Sequence, residues 1–285
     1  MIYANSYYFI GDDGGRCFDS NREYVIESND WSHLIGSKRY SLPSKTPDVE
    51  VDKDVTCFIT SFSTGLHAYV GILSILNNYT KQKISNKTII VSEDLQDGIL
   101  ELIKYILKPN EVIVLKKDCL YKFKSINLIP NCLHSYFEDT SIRDEIVEMI
   151  NKEVDQKEIT PLNRLAILKH PGSGVASTMG AVDLEEVTSF CKRQKYTRIE
   201  PSEIGELNTI NTIRSASSIA FSWGTTFMKN FIYISDSCKK IDVFIHGPQF
   251  ENEYNHCSQR KILPQKYNNA ELVYHLNPDL KTLEL

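Results

Sequence analysis

The sequence predicts an α/β fold of two Rossmann-like lobes with parallel sheets, opened by a short β-rich preface. Three observations lead there. Short apolar, β-branched runs such as Thr88-Ile89-Ile90-Val91 alternate with longer segments whose apolar residues recur at helical spacing. That alternation occurs twice, on either side of a polar stretch at 157–161. At 285 residues, 41% hydrophobic and 24% charged, the chain has room for one to two domains. The expected organisation is 1–55 as a preface belonging to the N-terminal lobe, 56–158 as that lobe and 159–285 as the C-terminal lobe.

The elements follow in order. Tyr7-Tyr8-Phe9-Ile10, a turn at Gly11-Asp12-Asp13-Gly14-Gly15 and Arg16-Cys17-Phe18 suggest a hairpin, with another short strand over 23–27. Residues 37–54, with Pro43, Pro47 and alternating charges, read as a connecting loop. The first series runs strand 56–61, helix 64–77, strand 88–91, a helix capped by Asp94 and stopped by Pro109, strand 111–115 and helix 142–154. The second begins with strand 163–169 and the loop His170-Pro171-Gly172-Ser173-Gly174. Asp183-x-x-Glu186 then opens a helix to about Lys192 as a capping box. Strand 197–199, helix 202–216, strand 218–222, helix 224–231 and strands 241–246 and 272–275 complete it.

Charge and cysteines narrow the function. A net charge of -5 argues against a nucleic-acid partner, whose binders carry a basic face. Seven scattered cysteines, none in C-x-x-C, fit neither a disulfide framework nor a zinc knuckle, so a reducing, cytoplasmic setting is expected. The start of the chain lacks the basic-then-apolar pattern of a signal peptide, and no apolar run reaches the ~18 residues of a membrane span. Peripheral contact with the inner face of a membrane stays open. No His/Cys/carboxylate spacing suggests a metal, and Asp52-Lys53-Asp54 reads as loop charge because it precedes its strand.

The strongest local pattern is Ser218-Ile219-Ala220-Phe221-Ser222-Trp223-Gly224-Thr225-Thr226, a buried strand entering a small, hydroxyl-bearing turn before a helix. Backbone N–H groups and the Ser222, Thr225 and Thr226 hydroxyls suit a diphosphate. The same residues also make an ordinary capped turn. The loop with Gly172 and Ser173 permits close backbone approach, and Lys169 or His170 adds positive charge. It meets neither the P-loop nor the G-x-G-x-x-G pattern. His67, opening the apolar helix of the first lobe, would face the carboxyl edge of its sheet as a general base or phosphate donor, or serve as a structural residue.

Four collinear stretches resemble glycosyltransferase family 61. They are Gly14-Gly15-Arg16-Cys17-Phe18-Asp19 to Val25-Ile26-Glu27-Ser28, Leu66-His67-Ala68-Tyr69-Val70-Gly71-Ile72-Leu73, Glu186-Val187 to Ile210, and Arg214-Ser215-Ala216 to Asn230. The resemblance implies the GT-B architecture and metal-independent sugar transfer without a cofactor, the nucleotide-sugar donor being held mainly by the C-terminal lobe. It puts His67 on the family histidine, and Asn230 on the family asparagine if one residue is inserted. Trp223 stands where the family carries a histidine, and Asn208-Thr209 replaces its acidic-glutamine pair.

The expected function is therefore a glycosyltransferase acting between a nucleotide-diphosphate-sugar and a glycan or glycolipid acceptor in surface polysaccharide (capsule-type) synthesis. Lys169, His170, Gly172, Ser173, Ser222, Gly224, Thr225, Thr226 and Asn230 would bind the donor, Glu200 its ribose hydroxyls, and His67 would be the base. Trp223 would stack on a sugar or base, or pack in the core. The alternative is a binding or assembly protein that keeps the lobes without turnover, which the Trp223 substitution motivates. A sugar-nucleotide epimerase is a third option, opposed by the missing glycine fingerprint.

Overall fold

Period-two and helical apolar patterns resolve, among the described residues, into two six-stranded sheets with helices against them. The computed structural model describes residues 1–11, 14–25, 42, 44–60, 65–84, 87–130, 140–155, 161–168, 184–245, 251–252, 255, 266–267 and 269–284. By their internal contacts these form two compact units, Met1–Val154 and Asp155–Leu285, each built on one of the sheets. Both sheets are mostly parallel, so the chain is an α/β protein.

In the first unit the strands are β1 (Ile2–Gly11), β2 (Gly14–Phe18), β3 (Val49–Cys57), β4 (Thr88–Ser92), β5 (Glu111–Leu115) and β6 (Leu120–Leu128). Their order is β2-β1-β6-β3-β4-β5. β6, β3, β4 and β5 are mutually parallel, whereas β1 runs antiparallel to both β2 and β6. The hairpin expected near the start of the sequence is the antiparallel margin of this mostly parallel sheet.

The strand expected at 56–61 begins earlier, at Val49, and Asp52-Lys53-Asp54 lies inside it. The charges misled because this half of β3 is exposed. Its alternation is a strand's surface row, with Lys122 on Glu50, Lys124 on Asp54, and Lys53 reaching Glu111 of β5 at 2.7 Å. One core cluster spans the sheet: it runs from Cys17 of β2 to Leu115 of β5 and includes Tyr8, Val55, Ile90 and Phe123. The N–H of Asp118, just before β6, donates to the carbonyl of Ile10 at 2.8 Å and extends the β1–β6 ladder.

Among the described residues this unit also carries helices α1 (Gly65–Gln82), α2 (Asp97–Leu107) and α3 (Thr140–Glu153). α1 runs past the expected end at 77 to Gln82, with Tyr79 continuing the buried stripe of Ile72, Leu73, Ile75 and Leu76. It crosses close to the exit of β3: a Cβ on Gly71 would lie 2.7 Å from the Thr60 Cγ2. Asp94 does not cap α2. The cap position is Gln96, and Lys108 ends the helix in the left-handed region one residue before Pro109.

The second unit holds β7 (Leu165–Ile167), β8 (Thr197–Arg198), β9 (Ser218–Ser222), β10 (Lys240–Ile245), β11 (Lys266–Tyr267) and β12 (Ala270–Leu276) in the order β11-β12-β10-β9-β7-β8. Among these described strands β11 alone is antiparallel. The described helices of this unit include α4 (Leu184–Arg193), α5 (Pro201–Ile204), α6 (Glu206–Ser215) and α7 (Thr225–Asn230), the last continuing into a 3-10 turn at Phe231–Tyr233. The single helix expected over 202–216 is broken at Gly205, whose φ of 81° is a backbone state that glycine adopts without a Cβ clash.

Adjacent residues of β9 separate the two faces of this sheet. Ala220 packs with Val187, Phe190 and Cys191 of α4, while Phe221 meets Phe227 of α7. Helices therefore cover opposite faces, as in a doubly wound, Rossmann-like sheet. On the α4 face the segment after β12 returns over the core. Leu280 is buried there, Arg193 donates to the Leu280 carbonyl, and Gln194 donates to that of Leu283 at 3.1 Å.

Candidate functional site

Topology singles out one edge of the second sheet. The chain passes from β7 to β8 on one side, then returns across β7 to form β9 and β10 on the other. That reversal is a topological switch point, and sheets of this kind bind ligands in a crevice outside the carboxyl ends of the two strands flanking it. Here those ends are Ile167 and Ser222, so the turn at 222–226 stands at the switch point.

The turn is shaped by fixed backbone bonds. Trp223 N–H donates to the Phe244 carbonyl of β10 at 2.8 Å, continuing the ladder past Ser222. Gly224 then takes φ 92° and ψ −145°, a conformation that a Cβ strains, and starts α7 by accepting the Met228 N–H at 2.9 Å. Ser222 and Thr226 are half-buried, and Thr225 is the first residue of α7. α7 has six residues, fewer than expected, so few aligned peptides stand behind the turn.

Trp223 is part of the core. Its side chain is buried, with 3% of the residue exposed, stacked on Phe227 and edge-on to Tyr274. Asn230 is 1% exposed; its Nδ2 donates to the Thr226 carbonyl at 2.8 Å, and its buried Oδ1 has no hydrogen-bond partner among the described residues. Glu200 lies beyond the carboxyl end of β8, paired with Arg198. β7 separates that strand from β9, so Glu200 is not beside the turn. His67 belongs by its backbone to the first turn of α1 in the other unit. Lys169, His170, Gly172 and Ser173 fall outside the described residues.

Two polar clusters near this edge escaped sequence reasoning. Glu206, the first residue of α6, is buried; its Oε2 takes the Lys229 Nζ at 2.7 Å and its Oε1 the Tyr233 hydroxyl at 3.2 Å. Burial pushes the Tyr233 phenol well above its ordinary range, which keeps it a donor. On the other face Asp242, fully buried on β10, accepts from His275 Nε2 at 2.7 Å, with Lys240 Nζ at 3.5 Å, and its Oδ2 has no hydrogen-bond partner among the described residues. Strand register puts Ser222, Phe244 and His275 in one row across β9, β10 and β12. Both clusters are assembled from residues distant in sequence, and their only local trace is a charged residue inside an apolar element, as with Asp242 in Ile241-Asp242-Val243.

Among the described residues no group of three or more His, Cys, Asp or Glu side chains could hold a metal ion. None of their helices is long and apolar enough to cross a membrane. No protein-family model matches the chain, and no curated protein matches it.

Proposed function

We propose that the chain is a metal-independent glycosyltransferase, passing a sugar from a nucleotide-diphosphate-sugar to a glycan or glycolipid acceptor in surface polysaccharide synthesis. The resemblance to glycosyltransferase family 61 supplies the reaction, and with it a GT-B arrangement of two lobes. One observation carries the reading: the hydroxyl-bearing turn Ser222–Thr226 stands at the switch point of a doubly covered parallel sheet, where such sheets bind phosphorylated ligands. Ser222 and Thr226 offer hydroxyls, Gly224 allows close backbone approach, and Lys169, His170, Gly172 and Ser173 would add further donor contacts. Glu200 would meet the ribose and His67 the acceptor. The reaction would run in the cytoplasm, with the acceptor offered at the inner face of a membrane.

Melting curves with UDP-, GDP- and CMP-sugars test this first. A donor at 100 times its Kd stabilises the native state by about 2.7 kcal/mol. The combined Ser222→Ala and Thr226→Val substitutions should remove most of the shift. A chain stabilised by none of these donors, and transferring from none, would end the proposal. Trp223 supports a second reading, a binding protein without turnover: the position of the family histidine is filled by a core side chain. Donor binding with neither hydrolysis nor transfer would favour it.

A further inference from the structure

We infer that Lys229 is the cation that meets the diphosphate at this edge, with Glu206 as its resting counter-ion; the inference rests on the nucleotide-binding reading above. The Lys229–Glu206 bond is the best-buried lysine–glutamate pair among the described residues, its side chains 17% and 3% exposed. The other lysine–glutamate pairs lie at the surface. Burying such a pair gains little over apolar side chains of the same size, so its retention calls for another role.

The geometry gives that role a direction. α6 starts at Glu206 just beyond the carboxyl end of β8 and runs back to Ser215, ahead of β9. α7 starts beyond the carboxyl end of β9. Both helix starts therefore stand at the ligand-binding edge of the sheet. Helical side chains lean toward the N-terminus of their helix, so the stem of Lys229 runs back over the turn containing Thr226. Residues three apart on a helix lie about 5–6 Å apart at Cβ. The bond to Glu206, the first residue of α6, ties the ammonium to the start of that helix. A diphosphate against Ser222 and Thr226 would lie within a lysine's reach and compete with Glu206 for the ammonium.

Competition predicts opposite signs for the two partners. Calorimetric titrations with UDP, inorganic pyrophosphate and uridine would be run on the wild type, Glu206→Gln and the double variant Glu206→Gln/Lys229→Met. Glu206→Gln should bind UDP and pyrophosphate several-fold more tightly, its lysine having lost a competitor. The double variant differs from it only at the lysine, leaves no unpaired buried charge, and should bind both at least tenfold more weakly than Glu206→Gln. Its affinity should also depend less on salt, while uridine binding stays the same in all three. Equal UDP affinity in the two variants, or weaker UDP binding by a folded Glu206→Gln protein, overturns the inference while leaving the nucleotide reading in place. Failure of the wild type to bind either UDP or pyrophosphate overturns the inference, while the nucleotide reading itself falls only if the whole donor panel above fails.

Discussion

Replacing Trp223 with alanine separates its two expected roles, core side chain and ligand platform. An aromatic side chain buries roughly 150–250 Å², and Trp223 is 3% exposed. At about 25 cal/mol per Å² its burial is worth ~4–6 kcal/mol. Truncations of core tryptophans cost about 3–5 kcal/mol, and loss of the Phe227 and Tyr274 ring contacts falls within that range. Trp223→Ala should therefore destabilise the second unit by about 4 kcal/mol. Urea unfolding followed by far-UV circular dichroism measures it, and the milder Trp223→Phe keeps enough stability for ligand titration. If Trp223 is core, Trp223→Phe binds UDP as the wild type does. A cost below ~1 kcal/mol for Trp223→Ala, with UDP affinity lost in Trp223→Phe, would refute the packing account and return the indole to the ligand.

Further outcomes follow from other positions. Gly224→Ala should cost roughly 1–3 kcal/mol with or without ligand, because its φ of 92° strains any side chain; unchanged melting would contradict the backbone geometry. Gly71→Ala should cost about 1–3 kcal/mol by overpacking against Thr60, and Thr60→Ser, which removes the clashing methyl, should recover part of it. Leu280→Ala should cost about 2–5 kcal/mol and speed proteolysis of the last ten residues, since Leu280 seats the returning segment on α4. Burial pushes the Cys57 thiol up to about 11, against roughly 8.5 in an unfolded chain. The unfolded thiol ionises first, so the Cys57 contribution to stability is complete below about pH 8.5 and is lost as pH rises toward 11. Alkaline unfolding of a Cys57→Ala protein should be less steep over that window; identical pH dependence would remove Cys57 as a cause.

The β–α alternation was legible in the sequence wherever a strand was buried on both faces. Thr88-Ile89-Ile90-Val91 and Ser218-Ile219-Ala220-Phe221 are continuous apolar runs, and both are parallel strands. Half-exposed strands were harder to see. In β6, Tyr121, Phe123 and Ser125 alternate with Lys122 and Lys124, a period-two pattern broken up by lysines. The first half of β3 has charges on successive residues, which local pattern cannot tell from a loop. At the candidate site the hydroxyl turn was legible because it is contiguous. The Glu206–Lys229 and Asp242–His275 pairs were not, because only the fold brings their members together.

The sheet of the first unit also sets a timetable for synthesis. Ile2 on β1 pairs with Asn127 on β6, so β1 waits for the last strand of its sheet to be made. At about 5–20 residues per second that wait is roughly 6–25 s. Until then the β1–β2 hairpin has one edge unclosed and presents Tyr8 and Ile10, both buried in the finished core. Nascent chains halted before residue 120 therefore carry an unpaired strand edge beside exposed core side chains, the kind of surface that chaperones hold.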